Sequence, residues 1–129
     1  MAIPSGGGTE VFCRGFIPAQ TSDATNFKWD GTNPAMGTAT YVVPAHTICI
    51  LKNFIVTNRD SGAETFTVSI GVYGSLTLYM RRTQAIANNE SFIWNETLVL
   101  HAGDFMSIWA AAADANLEVI YNYIKQDWS

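Results

Sequence analysis

The residues best suited to chemistry are few: the chain has two histidines, His46 and His101, and two cysteines, Cys13 and Cys49. Nucleophilic catalysis needs a base within hydrogen-bond reach of its nucleophile. Both histidines stand in turn-like contexts, PAHT and HAGD, where a polar tip suits a strand end without any chemical task. His101 and Asp104 flank one tight turn and could share a metal, but zinc takes four ligands supported by further hydrogen bonds, and no additional pair is at hand. Asp23, Asp30 and Asn33 offer oxygen ligands at a spacing that does not match a calcium loop. Glu90 and Glu96 fall on one face of a strand, too far apart to share a proton as a glycosidase pair does. The cysteines lie in apolar contexts, VFCRGF and TICIL, where a thiol behaves as a small buried hydrophobe. A single disulfide stays open, because sequence spacing cannot set its geometry. Catalytic residues, metal ligands and cofactor-binding residues are therefore all expected to be absent.

The elements that would position such groups are strands. Glu10–Ile17, Thr40–Val43, Thr47–Asn58, Ala63–Val72, Ser75–Arg82, Ser91–Leu100, Asp104–Ala112 and Asn116–Lys125 are rich in β-branched and aromatic residues with period-two alternation. NRDSG, YG, ANNE, HAGD and ADAN separate them, supplying the Asn, Asp and Gly that turns favour. Only QAIANNE suggests a helical turn. About eight strands at regular turn spacing predict an all-β protein: a single antiparallel β-sandwich of jelly-roll type. Residues 1–8, with three consecutive glycines, predict a flexible N-terminal arm. Residues 9–129 form the sandwich domain, with a long irregular N-terminal loop at 18–38 of the kind that is usually functional or disordered.

Two strands carry more apolar surface than one core can use. In ETFTVSI, Phe66, Val68 and Ile70 face one way and Thr65, Thr67 and Ser69 the other, the pattern of a sheet with one wet face. In SFIWNETLVL, Phe92, Trp94, Leu98 and Leu100 form one face around Glu96, while Ile93 and Val99 make the opposite face apolar as well. FMSIWAAA is apolar on both sides. The surplus face predicts a contact with another subunit.

Composition agrees. Charged residues are 14% and apolar residues 48% of the 129, against about 25% charged in an ordinary soluble domain. A membrane helix needs about 18 consecutive apolar residues, and stretches such as YVVPA are soon broken, so assembly rather than membrane insertion is expected. The net charge of −4 and the scattered basic residues argue against nucleic acid, which requires a clustered basic face. MAIPSGGGTEV lacks the charged and apolar regions of a signal peptide, so synthesis in a cytoplasm is expected, and NES and NET at Asn89 and Asn95 read as chance glycosylation matches.

The runs VPAHTICILKNFIVTNRDSGAETFTVSIGV and IANNESFIWNETLVLHAGDFMSIWAAAADANLEVIYNYI resemble small virion proteins of tailed bacteriophages, the capsid cement or decoration subunits and accessory neck and tail parts. The resemblance spans roughly Tyr41 to Lys125 and rests on the PA turn, the TFTVSI strand, the LVLHAGD turn and the closing strand. It implies a jelly-roll-like sandwich with no catalysis and no cofactor. Such a protein is a homo-oligomer, with a dimer expected before a trimer, made in the host cytoplasm and bound to the major capsid protein on the capsid exterior. The long aromatic loop at 18–38 departs from the pattern. Phe92, Trp94, Leu100, Phe105, Ile108 and Trp109 are expected to supply core and subunit contacts. Phe27, Trp29 and Trp128 are expected to reach the shell, so that the interface set is Phe27, Trp29, Trp94, Ile108, Trp109 and Trp128. The alternative is a carbohydrate- or receptor-binding sandwich of a neck, tail or cell surface, with Trp29, Asp30 and Asn33 as its platform.

Overall fold

The computed structural model of the protein describes residues 9–20, 22–29, 41–72, 76–112 and 115–127. They form two antiparallel sheets. The five-stranded sheet contains β1 (Thr9–Gln20), β9 (Leu117–Asp127) and β3 (Thr47–Asn58) in that order, followed by β6 (Ser91–Trp94) and β7 (Leu98–Leu100), which both pair with β3. The four-stranded sheet runs β2 (Thr25–Asn26), β8 (Phe105–Ala110), β4 (Glu64–Val72) and β5 (Leu76–Ile86). Except for the β4–β5 and β6–β7 neighbours, each step along the chain crosses to the other sheet, which makes the architecture a jelly roll.

Alternation writes the core into each strand. In β3 the buried residues Cys49, Leu51, Phe54, Val56 and Asn58 change phase at a bulge between Leu51 and Asn53. That extra residue keeps both halves of a long strand facing the same interior. In β9, Leu117, Val119, Tyr121 and Tyr123 point inward. Phe66, Val68 and Ile70 of β4 and Met106, Ile108 and Ala110 of β8 meet them from the other sheet. Asn58 is the polar exception: its Nδ2 donates to the carbonyls of Gly62 (2.9 Å) and Ile86 (3.1 Å), and its Oδ1 accepts the Asp60 N–H (2.9 Å). All its groups are thus used, and the NRDSG turn is tied to the end of β5.

Several local expectations change. Residues 41–43 are not a strand; Val43 is instead buried against the 103–104 turn, donating its N–H to the Asp104 carbonyl and accepting the Gly103 N–H, each at 2.9 Å. Ser91–Leu100 breaks into β6 and β7, and Trp94 Nε1 closes the break by donating to the Glu96 carbonyl at 2.9 Å. QAIANNE is extended to Ile86 and then turns, with Asn89 at φ 59°. The first strand runs on to Gln20, and Thr25–Asn26 pairs with Ile108 and Ser107, so part of the predicted loop belongs to the sheets. The N-terminal arm and residues 30–40 lie outside the described residues.

The segment after β2 dives inward. Phe27 and Trp29 stack on each other (centroids 6.1 Å) and pack edge-on against Tyr121 at 4.8 and 5.5 Å, while Trp29 also meets Tyr123 at 4.9 Å. The Tyr121 hydroxyl donates to the Lys28 carbonyl (2.9 Å) and accepts the Lys28 N–H (2.8 Å). Its ring lies over Gly15 on the paired strand, where a Cβ would overlap the aromatic carbons. Tyr121→Phe leaves the Lys28 backbone groups short of a partner and should cost about 1–3 kcal/mol, and Gly15→Ala, by overpacking the same place, about 1–3 kcal/mol. Urea unfolding followed by far-UV circular dichroism measures both; unchanged midpoints would contradict this account.

Candidate functional site

Of the chemistry-bearing residues, Asp104 serves the framework. Asp104 is buried, and its Oδ2 accepts the His101 N–H at 2.9 Å while its own N–H donates to the His101 carbonyl at 3.0 Å. The carboxylate thus braces the HAGD turn, leaving the His101 ring at the surface. His46 is exposed in its own turn at φ 58°. Among the described residues no three His, Cys, Asp or Glu gather closely enough to hold a metal ion. Asp23, Glu90 and Glu96 are exposed and stand in separate turns and loops, while Asp30 and Asn33 fall outside the described residues.

Cys13 and Cys49 are buried thiols not joined by a disulfide. Their strands are both neighbours of β9, with Cys13 opposite Tyr123 and Cys49 opposite Lys125. Two inter-strand steps of about 4.8 Å exceed the roughly 7 Å that a disulfide can span between Cα atoms. Burial pushes the Cys49 thiol from 9.0 to about 12, with nearby Lys125 opposing that shift and Cys13 adding to it.

The expected aromatic anchors divide. Phe27, Trp29 and Ile108 are 0% exposed, which corrects the expectation that they reach a partner: the facing tyrosines and the opposite sheet already cover them. A carbohydrate platform built on Trp29 has no exposed ring to offer. Trp94 is half-buried and stacked on Phe54 (5.8 Å, 7° between planes), with the Arg81 guanidinium 5.8 Å from its ring and 5.3 Å from that of Phe92. Trp109 is half-buried on the outer side of the four-stranded sheet, edge-on to Tyr79 at 6.4 Å. Trp128 lies outside the described residues.

What the structure assembles instead is the outer face of the five-stranded sheet. Register places Phe12, Ile124, Ile50 and Val99 in one row across β1, β9, β3 and β7. Phe16, Ile120, Ile55 and Ile93 form a second row across β1, β9, β3 and β6. Between them runs a polar row, Arg14, Asn122 and Asn53, in which Asn122 Nδ2 donates to Asn53 Oδ1 at 2.7 Å and the bulge adds exposed Lys52. Polar pairs bound the face at both ends: Gln126 with Glu10 (2.7 Å), and Thr57 with Ser91 (2.8 Å) beside the Arg59–Glu118 ion pair (2.7 Å). A shallow groove of about 390 Å³ crosses it, lined by Phe12, Arg14, Lys52, Asn122 and Ile124 among others.

Such a face sets two apolar rows on either side of exposed Arg14 and Lys52. Four strands about 4.8 Å apart and some ten residues long at about 3.3 Å each cover on the order of 600 Å² in plan, approaching the roughly 800 Å² that each partner buries in a standard interface. Sequence reading found one corner, Ile93 and Val99. The other signals were present in TICILKNFIV and LEVIYNYIK, which are apolar on both faces, but their alignment into rows depends on the register.

The thiol geometry carries its own test. Cys49 should resist a disulfide reagent at pH 8 in the native protein and react on unfolding. Because its pKa is raised in the folded state, the stability it contributes is complete below pH 9 and lost between about pH 9 and 12. A Cys49→Ala protein should lose less stability over that window, as measured by chemical denaturation.

No protein-family model matches the chain, and no curated protein matches it. Among solved structures it is similar to a protein of the Bacillus endospore appendages, described as a family of disulfide-linked pili, with TM-score 0.53 and 14% identity over 100% of this chain and 97% of that one. The globular domain of zebrafish complement 1qA aligns with TM-score 0.45 and 14% identity over 92% of this chain and 95% of that one. A protein of infectious bursal disease virus, Gt strain, aligns with TM-score 0.46 and 8% identity over 92% of this chain and 31% of that one. At 14% identity the likeness to the appendage protein is one of fold, shared along nearly the whole length of both chains.

Proposed function

We propose that this chain is a non-enzymatic structural protein of a virion, a capsid cement subunit that sits on the shell exterior and stabilises it by bridging capsomers through contacts with the major capsid protein. The observation that carries the reading is the outer face of the five-stranded sheet, where two apolar rows flank one polar row on a surface that an isolated sandwich would leave wet. A low charge content of 14% and the structural use of Asp104 and of both thiols support it. The resemblance to small tailed-phage virion proteins supplies the kind of partner. Copies of the subunit also associate with one another in this reading.

The test is co-sedimentation of the purified protein with expanded, DNA-free shells of a tailed bacteriophage. Binding should saturate at a fixed number of copies per shell and raise the temperature at which the shells come apart. Replacing Ile50 and Ile124 together by Lys, in the middle of one apolar row, should weaken binding by at least about tenfold, the effect of about 1.4 kcal/mol. Failure to co-sediment together with unchanged shell stability would overturn the cement role.

A further inference from the structure

The two most exposed large apolar side chains among the described residues, Phe12 and Ile93, stand at opposite edges of one sheet. Phe12, on β1, is 78% exposed; Ile93, on β6, is 61% and Val99, on β7, 44%. Among the described residues β1 pairs only with β9, and β6 and β7 only with β3. Among the described strands β1 and β6–β7 are thus the outermost of this sheet, and each carries large apolar side chains, the combination that templates pairing with another chain.

The two edges match one another better than either matches itself. Along the sheet the strands alternate in direction, so β1 of a second copy placed beside β6 and β7 runs antiparallel to them without turning the copy over. In that placement Phe16 extends the row ending in Ile93, and Phe12 extends the row ending in Val99. Between the rows, Arg14 stands at one end of the polar row, exposed, its guanidinium 5.6 Å from the centre of the Phe16 ring. At the other end is the β6–β7 break, which holds exposed Glu96. Pairing β1 with β1 so as to keep the rows continuous would set Arg14 against Arg14. Pairing the β6–β7 edge with itself so as to keep the rows continuous would set Glu96 against Glu96. Like charges opposite each other across strands are destabilising and opposite charges stabilising.

We propose that copies of this chain associate head to tail, the β1 edge of one adding antiparallel to the β6–β7 edge of the next, with Phe12 and Phe16 continuing the apolar rows and Arg14 facing Glu96. Such a contact is heterologous and forms a ring if its rotation closes, a filament if it does not. The inference rests on the reading of this sheet as an assembly surface and specifies which parts of it meet another copy.

Light scattering on full-length variants tests it. Phe12→Lys blocks one edge and Ile93→Lys the other; both positions are exposed, and thermal unfolding checks that each variant folds. The wild-type protein should form oligomers whose mass rises with concentration or closes at a ring. Each single variant should be a monomer, and an equimolar mixture should form a dimer and nothing larger, since one intact edge of each kind remains. An independent pair, Arg14→Glu alone and Arg14→Glu with Glu96→Arg, should weaken association by roughly tenfold and then largely restore it. A variant that stays oligomeric alone, monomeric variants that fail to combine, or a wild-type protein monomeric at all concentrations would overturn the proposal. Shell co-sedimentation with the same wild-type protein is a separate measurement, so loss of self-pairing is distinguishable from loss of the cement role.

Discussion

One side chain joins the parts of this sandwich that the chain itself keeps apart. The Tyr121 hydroxyl holds both backbone groups of Lys28, and its ring fills the space over Gly15 on the neighbouring strand. With that anchor, Phe27 and Trp29 are drawn between the sheets, where they meet Tyr121, Tyr123 and Phe54. Without it, a polar stretch carrying two large aromatics would lie over the surface. Aromatic burial of this kind is worth several kcal/mol per ring, and here it closes the end of a two-sheet core.

Once those rings are inside, what remains outside is defined. The inner face of the five-stranded sheet is saturated by the aromatic cluster and by residues of the other sheet, so the second apolar set on β3, β9 and β6–β7 has no place in the core. It faces outward as two rows. The same logic accounts for the charged groups. Asp104 spends its carboxylate on a turn, and Arg81 lies across Phe92 and Trp94 where β5 approaches β6. Arg14 and Lys52 remain exposed on the outer face, between the two apolar rows.

The sandwich core and the striped outer face are made by different residues of the same strands. The core is closed by rings from distant parts of the chain, and Cys13 and Cys49 lie in it as free thiols. In the head-to-tail contact we propose, a striped face with unlike edges gives association a direction.

Alternation is a local property, and so most of the strands and the all-β sandwich are legible in the sequence: TFTVSI or LEVIYNYI needs no distant partner to show its period of two. Turn residues placed most of the breaks for the same reason. The failures lie where a local pattern has two solutions. Val43 has the β-propensity of a strand but takes its bonds from a turn, and Phe27 and Trp29 look like surface anchors because their neighbours in the chain are polar. Tertiary structure alone decided these, along with which apolar face of each strand became core and how the outward residues aligned into rows. Each of those outcomes is set by register and by partners such as Tyr121, which is remote in sequence from Lys28 and adjacent to it in space.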